Sequence, residues 1–164
     1  MRTQTAMLRR LQRAGAHIKR GPWPKTLAHI KTLTGPPVLI IDALLAGDTY
    51  DSQKEARDMI DWANRSRAPV LSVGCPSGVS GVDGPATIVD GEPLAIRPDR
   101  IVSLAAPMLG LLEAMKNGEV WNVSVADIGI NITLRRDEAV AFGTLWVAEL
   151  KYAEEEELLA VDAA

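Results

Sequence analysis

Val38-Leu39-Ile40-Ile41-Asp42 and Ala68-Pro69-Val70-Leu71-Ser72-Val73-Gly74-Cys75-Pro76-Ser77-Gly78 are the stretches on which the fold turns. Each is a short apolar run closed by turn or acidic residues. That pattern predicts strands buried on both faces of a parallel sheet. Between them, Ser52 and Glu55 have capping-box spacing, and Ala56, Met59, Ile60 and Ala63 form an apolar stripe, so a helix is expected up to about Asn64. Strand, crossover helix, strand is the unit of an open α/β sheet.

The pattern continues in both directions. Arg100 to Ala105 and Val120 to Ala126 read as further strands, with a short apolar helix from Leu109 to Met115 between them. Thr144 to Leu150 gives a last alternating strand. On the N-terminal side, Met7, Leu8 and Leu11 mark a helix over Ala6 to Ala14 whose other face carries arginines. A short strand over Ala16 to Lys19 and a helix from Pro24 to Thr32 follow. The expected fold class is α/β: a Rossmann-like three-layer αβα sandwich around a mostly parallel sheet.

Composition agrees with that class. The 164 residues are 47% hydrophobic and 24% charged, which suits a globular chain able to bury a core. At 4%, aromatic residues are too few for a strand-rich sandwich. Cys75 stands alone, so no disulfide within the chain is possible and a reducing compartment is expected. His17 and His29 offer no metal-ligand spacing. There is neither an apolar signal-type segment nor a run approaching the roughly 18 residues that cross a bilayer, so no membrane partner is expected.

Charge is unevenly placed. Residues 1–41 hold eight Lys or Arg and no acid, leaving ten bases against 21 acids in the rest. A basic end of this kind is a solvated helix face, a docking surface or a nucleic-acid contact. For the last of these, Arg9, Arg10 and Arg13 are the candidate RNA-binding residues.

Open α/β sheets bind ligands outside the carboxyl ends of their strands. Here those ends are Asp42 to Asp48, Gly74 to Gly78, Ala105 to Met108 and Asp127 to Gly129. Asp42 equally suits a ligand site and a loop brace or helix cap. Ser77 lacks a nearby His and a nucleophile-elbow sequence, which argues against a hydrolase triad. Cys75 has no neighbouring cation to activate it and is expected to be a buried or semi-buried small residue. Gly78, Gly81 and Gly84 fit neither the dinucleotide fingerprint nor a phosphate loop, and are expected to form a flexible connection.

Three separated motifs resemble the YjeF N-terminal domain family: Val38 to Leu45, Ala68 to Gly78, and Val125-Ala126-Asp127-Ile128-Gly129-Ile130. The resemblance covers about Leu8 to Val147. It implies the Rossmann-like sandwich and two kinds of member. One is the NAD(P)H-hydrate epimerase; the other is the C-terminal domain of the enhancer-of-mRNA-decapping scaffold.

By that resemblance, Gly74 stands where the epimerase has the aspartate that handles the substrate proton, and Met108 where it has a lysine. Asp42 and Ser77 match positions that hold a potassium ion in the enzyme; Ala46 matches a glycine of the family, with Gly47 adjoining it. Asp42, Gly47 and Ser77 are therefore the candidate remnant of a cofactor or cation site, with no cofactor and no metal expected. Trp62-Ala63-Asn64 and Arg67-Ala68-Pro69-Val70-Leu71-Ser72 resemble the scaffold.

The resulting expectation is a non-catalytic, homodimeric scaffold domain that partners the decapping machinery and RNA in cytoplasmic mRNA-processing bodies. The alternative is an NAD(P)H-hydrate epimerase or a nucleotide-binding pseudoenzyme. The family's opening strand and glycine-rich loop have no counterpart here. Residues 1–150 are thus expected to form an N-terminally incomplete domain, and 151–164 an acidic, disordered tail.

Overall fold

This computed structural model describes residues 2–16, 18, 28–30, 32, 35–45, 51–128, 147–150 and 161–162. The chain forms two compact units, Met1–Pro36 and Pro37–Ala164. In the first, helix α1 spans Arg2–Arg13, starting earlier than its apolar stripe indicates. Residues 28–30 are helical, while the rest of the Pro24 to Thr32 helix and the strand expected over Ala16 to Lys19 lie mostly outside the described residues.

In the second unit the elements run β1 (Ile40–Asp42), α2 (Asp51–Arg65), β2 (Val70–Val73), β3 (Thr87–Val89), β4 (Glu92–Leu94), β5 (Arg100–Leu104), α3 (Leu109–Lys116), β6 (Val123–Ala126), β7 (Val147–Leu150) and β8 (Val161–Asp162). Six strands make one sheet in the order β1-β2-β5-β6-β7-β8. The first three pairings are parallel and the last two antiparallel. The Rossmann-like α/β class is what the molecule adopts.

Register explains where the core sits. Ile40 pairs with Val70, Asp42 with Ser72, Ser72 with Ile101, and Ile101 with Val123, so these side chains share one face. On that face α2 and α3 pack in two clusters. Ala56, Ile60 and Ala63 of α2 meet Val70, Leu94 and Ile96, with Trp62 alongside. Leu111 of α3 meets Ile101, Val123, Val125, Cys75 and Val79. Together these side chains remove a large apolar area from water.

The opposite face differs from the expectation of strands buried on both sides. Leu71, Val73, Val102 and Ala126 are half-buried, and Ile41 and Leu104 are exposed at 61% and 48%. The reason is positional: β1 ends the sheet order, and the described helices of this unit cover one face. An all-apolar run therefore does not certify two covered faces.

Two further features depart from the sequence reading. Residues 87–94 form the β3–β4 hairpin, closed by Asp90 and Gly91 at φ 54° and 85°. Two successive left-handed residues fit the tight hairpin turn that Asp-Gly favours. The segment around Gly78 to Gly84 is a packed turn rather than a flexible connection. Ser80 Oγ accepts the Asp83 N–H at 3.0 Å, the Gly84 N–H reaches the Ser80 carbonyl at 3.1 Å, and Gly110 at the start of α3 donates to the Gly81 carbonyl at 2.9 Å.

Ser103 on β5 is 1% exposed, and its hydroxyl finds no hydrogen-bond partner among the described residues. An unpaired buried hydroxyl costs stability. Ser103→Ala is therefore expected to leave the urea midpoint unchanged or raise it. A fall equivalent to more than about 1 kcal/mol would mean that the hydroxyl is bonded after all.

Candidate functional site

Asp42, Ser72 and Ser77 converge where β1 and β2 end. Asp42 closes β1, Ser72 is its partner on β2, and Ser77 follows in the Pro-Ser-Gly turn. All three are buried, at 5%, 0% and 0% exposure. Asp42 Oδ2 accepts the Ser72 hydroxyl at 2.8 Å and the Ser77 backbone N–H at 2.9 Å. Its Oδ1 accepts the Ser77 hydroxyl at 2.5 Å and the Leu44 N–H at 3.3 Å. Ser77 Oγ in turn accepts the Leu45 N–H at 3.0 Å.

In this arrangement Asp42 braces the corner. A carboxylate has about four acceptor positions, and all are used. The network ties the β1 end, β2 and the 74–78 turn into one rigid corner. With those bonds in place the Asp42 carboxylate keeps no lone pair for a potassium ion, whereas the Ser72 and Ser77 hydroxyl oxygens, which donate to it, still have acceptor capacity. Among the described residues, no group of three or more His, Cys, Asp or Glu could hold a metal.

The structure thus brings Asp42 and Ser77 together, as the sequence indicates, and adds Ser72. The signal for Ser72 was available: a polar residue at an inward-facing position of an apolar strand needs a buried partner. Gly47 lies outside the described residues. Arg9, Arg10 and Arg13 are exposed on α1, in the other compact unit.

Around the corner, the other described strand ends form a rim. Gly74 follows β2 at φ 85°, and its backbone N–H continues the ladder to the Val102 carbonyl at 2.8 Å. Left-handed backbone is costly for other residues, so the turn itself asks for glycine there. A Cβ on Gly74 would meet nothing within 4 Å among the described residues. Met108 precedes α3, partly exposed at 37%, and Asp127 is an exposed carboxylate after β6.

Cys75 sits just behind the rim and is 1% exposed, as the sequence indicates. Burial, with a smaller contribution from the Asp42 charge, pushes its thiol up to about 11. The folded state thus holds the thiol proton more tightly than the unfolded state. The associated stability is fully present below the ordinary thiol value, falls as pH rises past it, and is lost on passing about 11. At pH 8 a thiol reagent is expected to label Cys75 only after unfolding. Stoichiometric labelling of the native protein would contradict its burial.

Parallel strands, helices packed against them and a braced polar corner at the carboxyl ends define a Rossmann-like domain, with a candidate site at that rim. Residues 2–110 match the family described as YjeF-related protein N-terminus, and the chain belongs to that family. It is similar to the bifunctional NAD(P)H-hydrate repair enzyme Nnr of Salinibacter ruber, with 33% identity over 131 residues. The match covers 76% of this chain and 23% of that protein, so the chain spans about a quarter of its relative's length.

These comparisons correct two expectations. The decapping-scaffold reading, with its mRNA-decay and processing-body setting, is overturned: the family match and the relative both favour the NAD(P)H-hydrate repair alternative. The expectation of a non-catalytic pseudoenzyme falls with it, because the relative is a repair enzyme. Its main support was Gly74, and a left-handed turn accounts for glycine at that position without any lost catalytic group.

Proposed function

We propose that this chain acts on hydrated nicotinamide nucleotide, as the epimerase component of NAD(P)H-hydrate repair. The observation that carries this reading is the Asp42–Ser72–Ser77 corner. It lies within the family-matched residues, at the strand ends where nucleotides bind in open α/β sheets. The resemblance to a repair enzyme supplies the substrate class.

In this reading the corner is a positioning device. Asp42 holds the 74–78 turn against β1, so the backbone at Gly74 and the rim beyond it keep one geometry as substrate arrives. Gly74 lets the nucleotide approach the main chain closely. Asp127, after β6, is an exposed carboxylate at this end and the candidate for proton exchange with the substrate. Isothermal titration with the hydrated and intact nucleotides tests the assignment. Saturable binding of the hydrate is expected, and its absence at millimolar nucleotide would contradict it.

A further inference from the structure

At the opposite ends of the strands lies a polar pocket of about 300 Å³, bordered by Asn64, Ser66, Arg67, Val70, Arg97 and Asp99. Its walls are fixed by hydrogen bonds. Asn64, in the last turn of α2, donates to the Ala95 carbonyl at 2.8 Å and accepts the Arg97 N–H at 2.9 Å. Asp99 Oδ2 accepts the Val70 N–H at 2.7 Å, pinning the start of β2 to the residue before β5. Ser66 Oγ accepts the Ala68 N–H at 3.2 Å, shaping the loop that carries Arg67.

What these bonds leave unused is informative. Ion pairs among the described residues join Arg57 to Asp90 and Arg65 to Asp61; none takes up Arg67 or Arg97. Two arginines that these ion pairs do not use thus border the cavity from two different loops. Two guanidinium forks suit a phosphate or carboxylate group. Asp99 keeps one carboxylate oxygen for a donor. The carbonyl end of α2 also faces this region and disfavours a bare anion. The best-matched ligand carries hydroxyl donors beside its charge.

We propose that this pocket binds a phosphorylated sugar, free or as part of a nucleotide. Arg67 and Arg97 hold the phosphate, and Asp99 accepts a sugar hydroxyl. A cavity of this size suits a pentose phosphate. The site is separate from the Asp42 corner, so its test does not depend on the nicotinamide-nucleotide reading.

The test is calorimetric titration of the full chain with ribose 5-phosphate, AMP, inorganic phosphate and ribose. Ribose 5-phosphate or AMP is expected to bind at least about tenfold more tightly than inorganic phosphate, and ribose not at all. Whichever of the two binds tighter identifies the free sugar phosphate or the nucleotide as the source. Arg67→Ala and Arg97→Ala, both at exposed positions, are each expected to weaken binding at least about tenfold with unchanged Tm. Three results would overturn the proposal: no binding at millimolar ligand, equal affinity for inorganic phosphate, or affinity unchanged in both arginine variants.

Discussion

Asp42→Ala is expected to lower the unfolding free energy by about 3 kcal/mol or more, because it strands several buried donors at once. The Ser72 hydroxyl, the Ser77 hydroxyl and the Ser77 N–H all lose their acceptor in an interior that water does not reach. Each orphan carries its own desolvation cost, so the loss exceeds that of a single hydrogen bond. Ser72→Ala removes one partner and leaves the carboxylate three others, so it should cost about 1 to 2 kcal/mol. Urea unfolding of both variants measures the difference. A loss below about 1 kcal/mol for Asp42→Ala would mean that the corner does not hold the strand ends together.

Gly78→Ala is expected to be at least as damaging. Gly78 has φ 97°, and an added Cβ would lie 2.0 Å from the Leu94 carbonyl oxygen and 2.6 Å from the Ala95 Cα. Both obstacles are backbone, held where the Ile96 N–H donates to the Ser77 carbonyl at 2.8 Å. Neither can swing aside as a flexible side chain would. Left-handed strain and overpacking together are worth about 3 to 5 kcal/mol, a large part of a small domain's stability. Gly74→Ala is the control, because it has similar strain at φ 85° but no described atom within 4 Å of the new methyl. It should cost only about 1 to 2 kcal/mol. Equal losses in the two variants would show that the close approach at Gly78 is not what limits the turn.

The parts of the fold legible in the sequence are those with a strong local signal. β2, β5, α2 and α3 lie where apolar runs and stripes put them, because burial on one sheet face selects those patterns. Boundaries slipped where apolar content outran pairing: Val38 and Leu39 continue the run of β1 but lie outside the strand, at 89% and 49% exposure. The β3–β4 hairpin was hidden by glycine and proline richness, although Asp90-Gly91 between Thr87-Ile88-Val89 and Glu92-Pro93-Leu94 is a hairpin signal.

At the site, Asp42 and Ser77 were legible because a carboxylate and a Pro-Ser-Gly turn ended two apolar runs. Their mutual bond was not legible, since it joins residues 35 apart through sheet register. The same limit hid the sugar-phosphate pocket. Asn64 and Arg97 meet only because α2 returns the chain to the start of β2 beside β5. Gly74 carries the opposite lesson. A missing side chain looks like lost chemistry in sequence, yet the backbone conformation at that turn explains the glycine by itself.

The most direct test of the functional reading is to incubate the chain with separately purified S and R NAD(P)H hydrates and follow their interconversion by chromatography. Epimerisation well above the spontaneous rate, scaling with protein concentration, is the predicted result. A rate equal to the protein-free control, from protein shown to be folded, would contradict it.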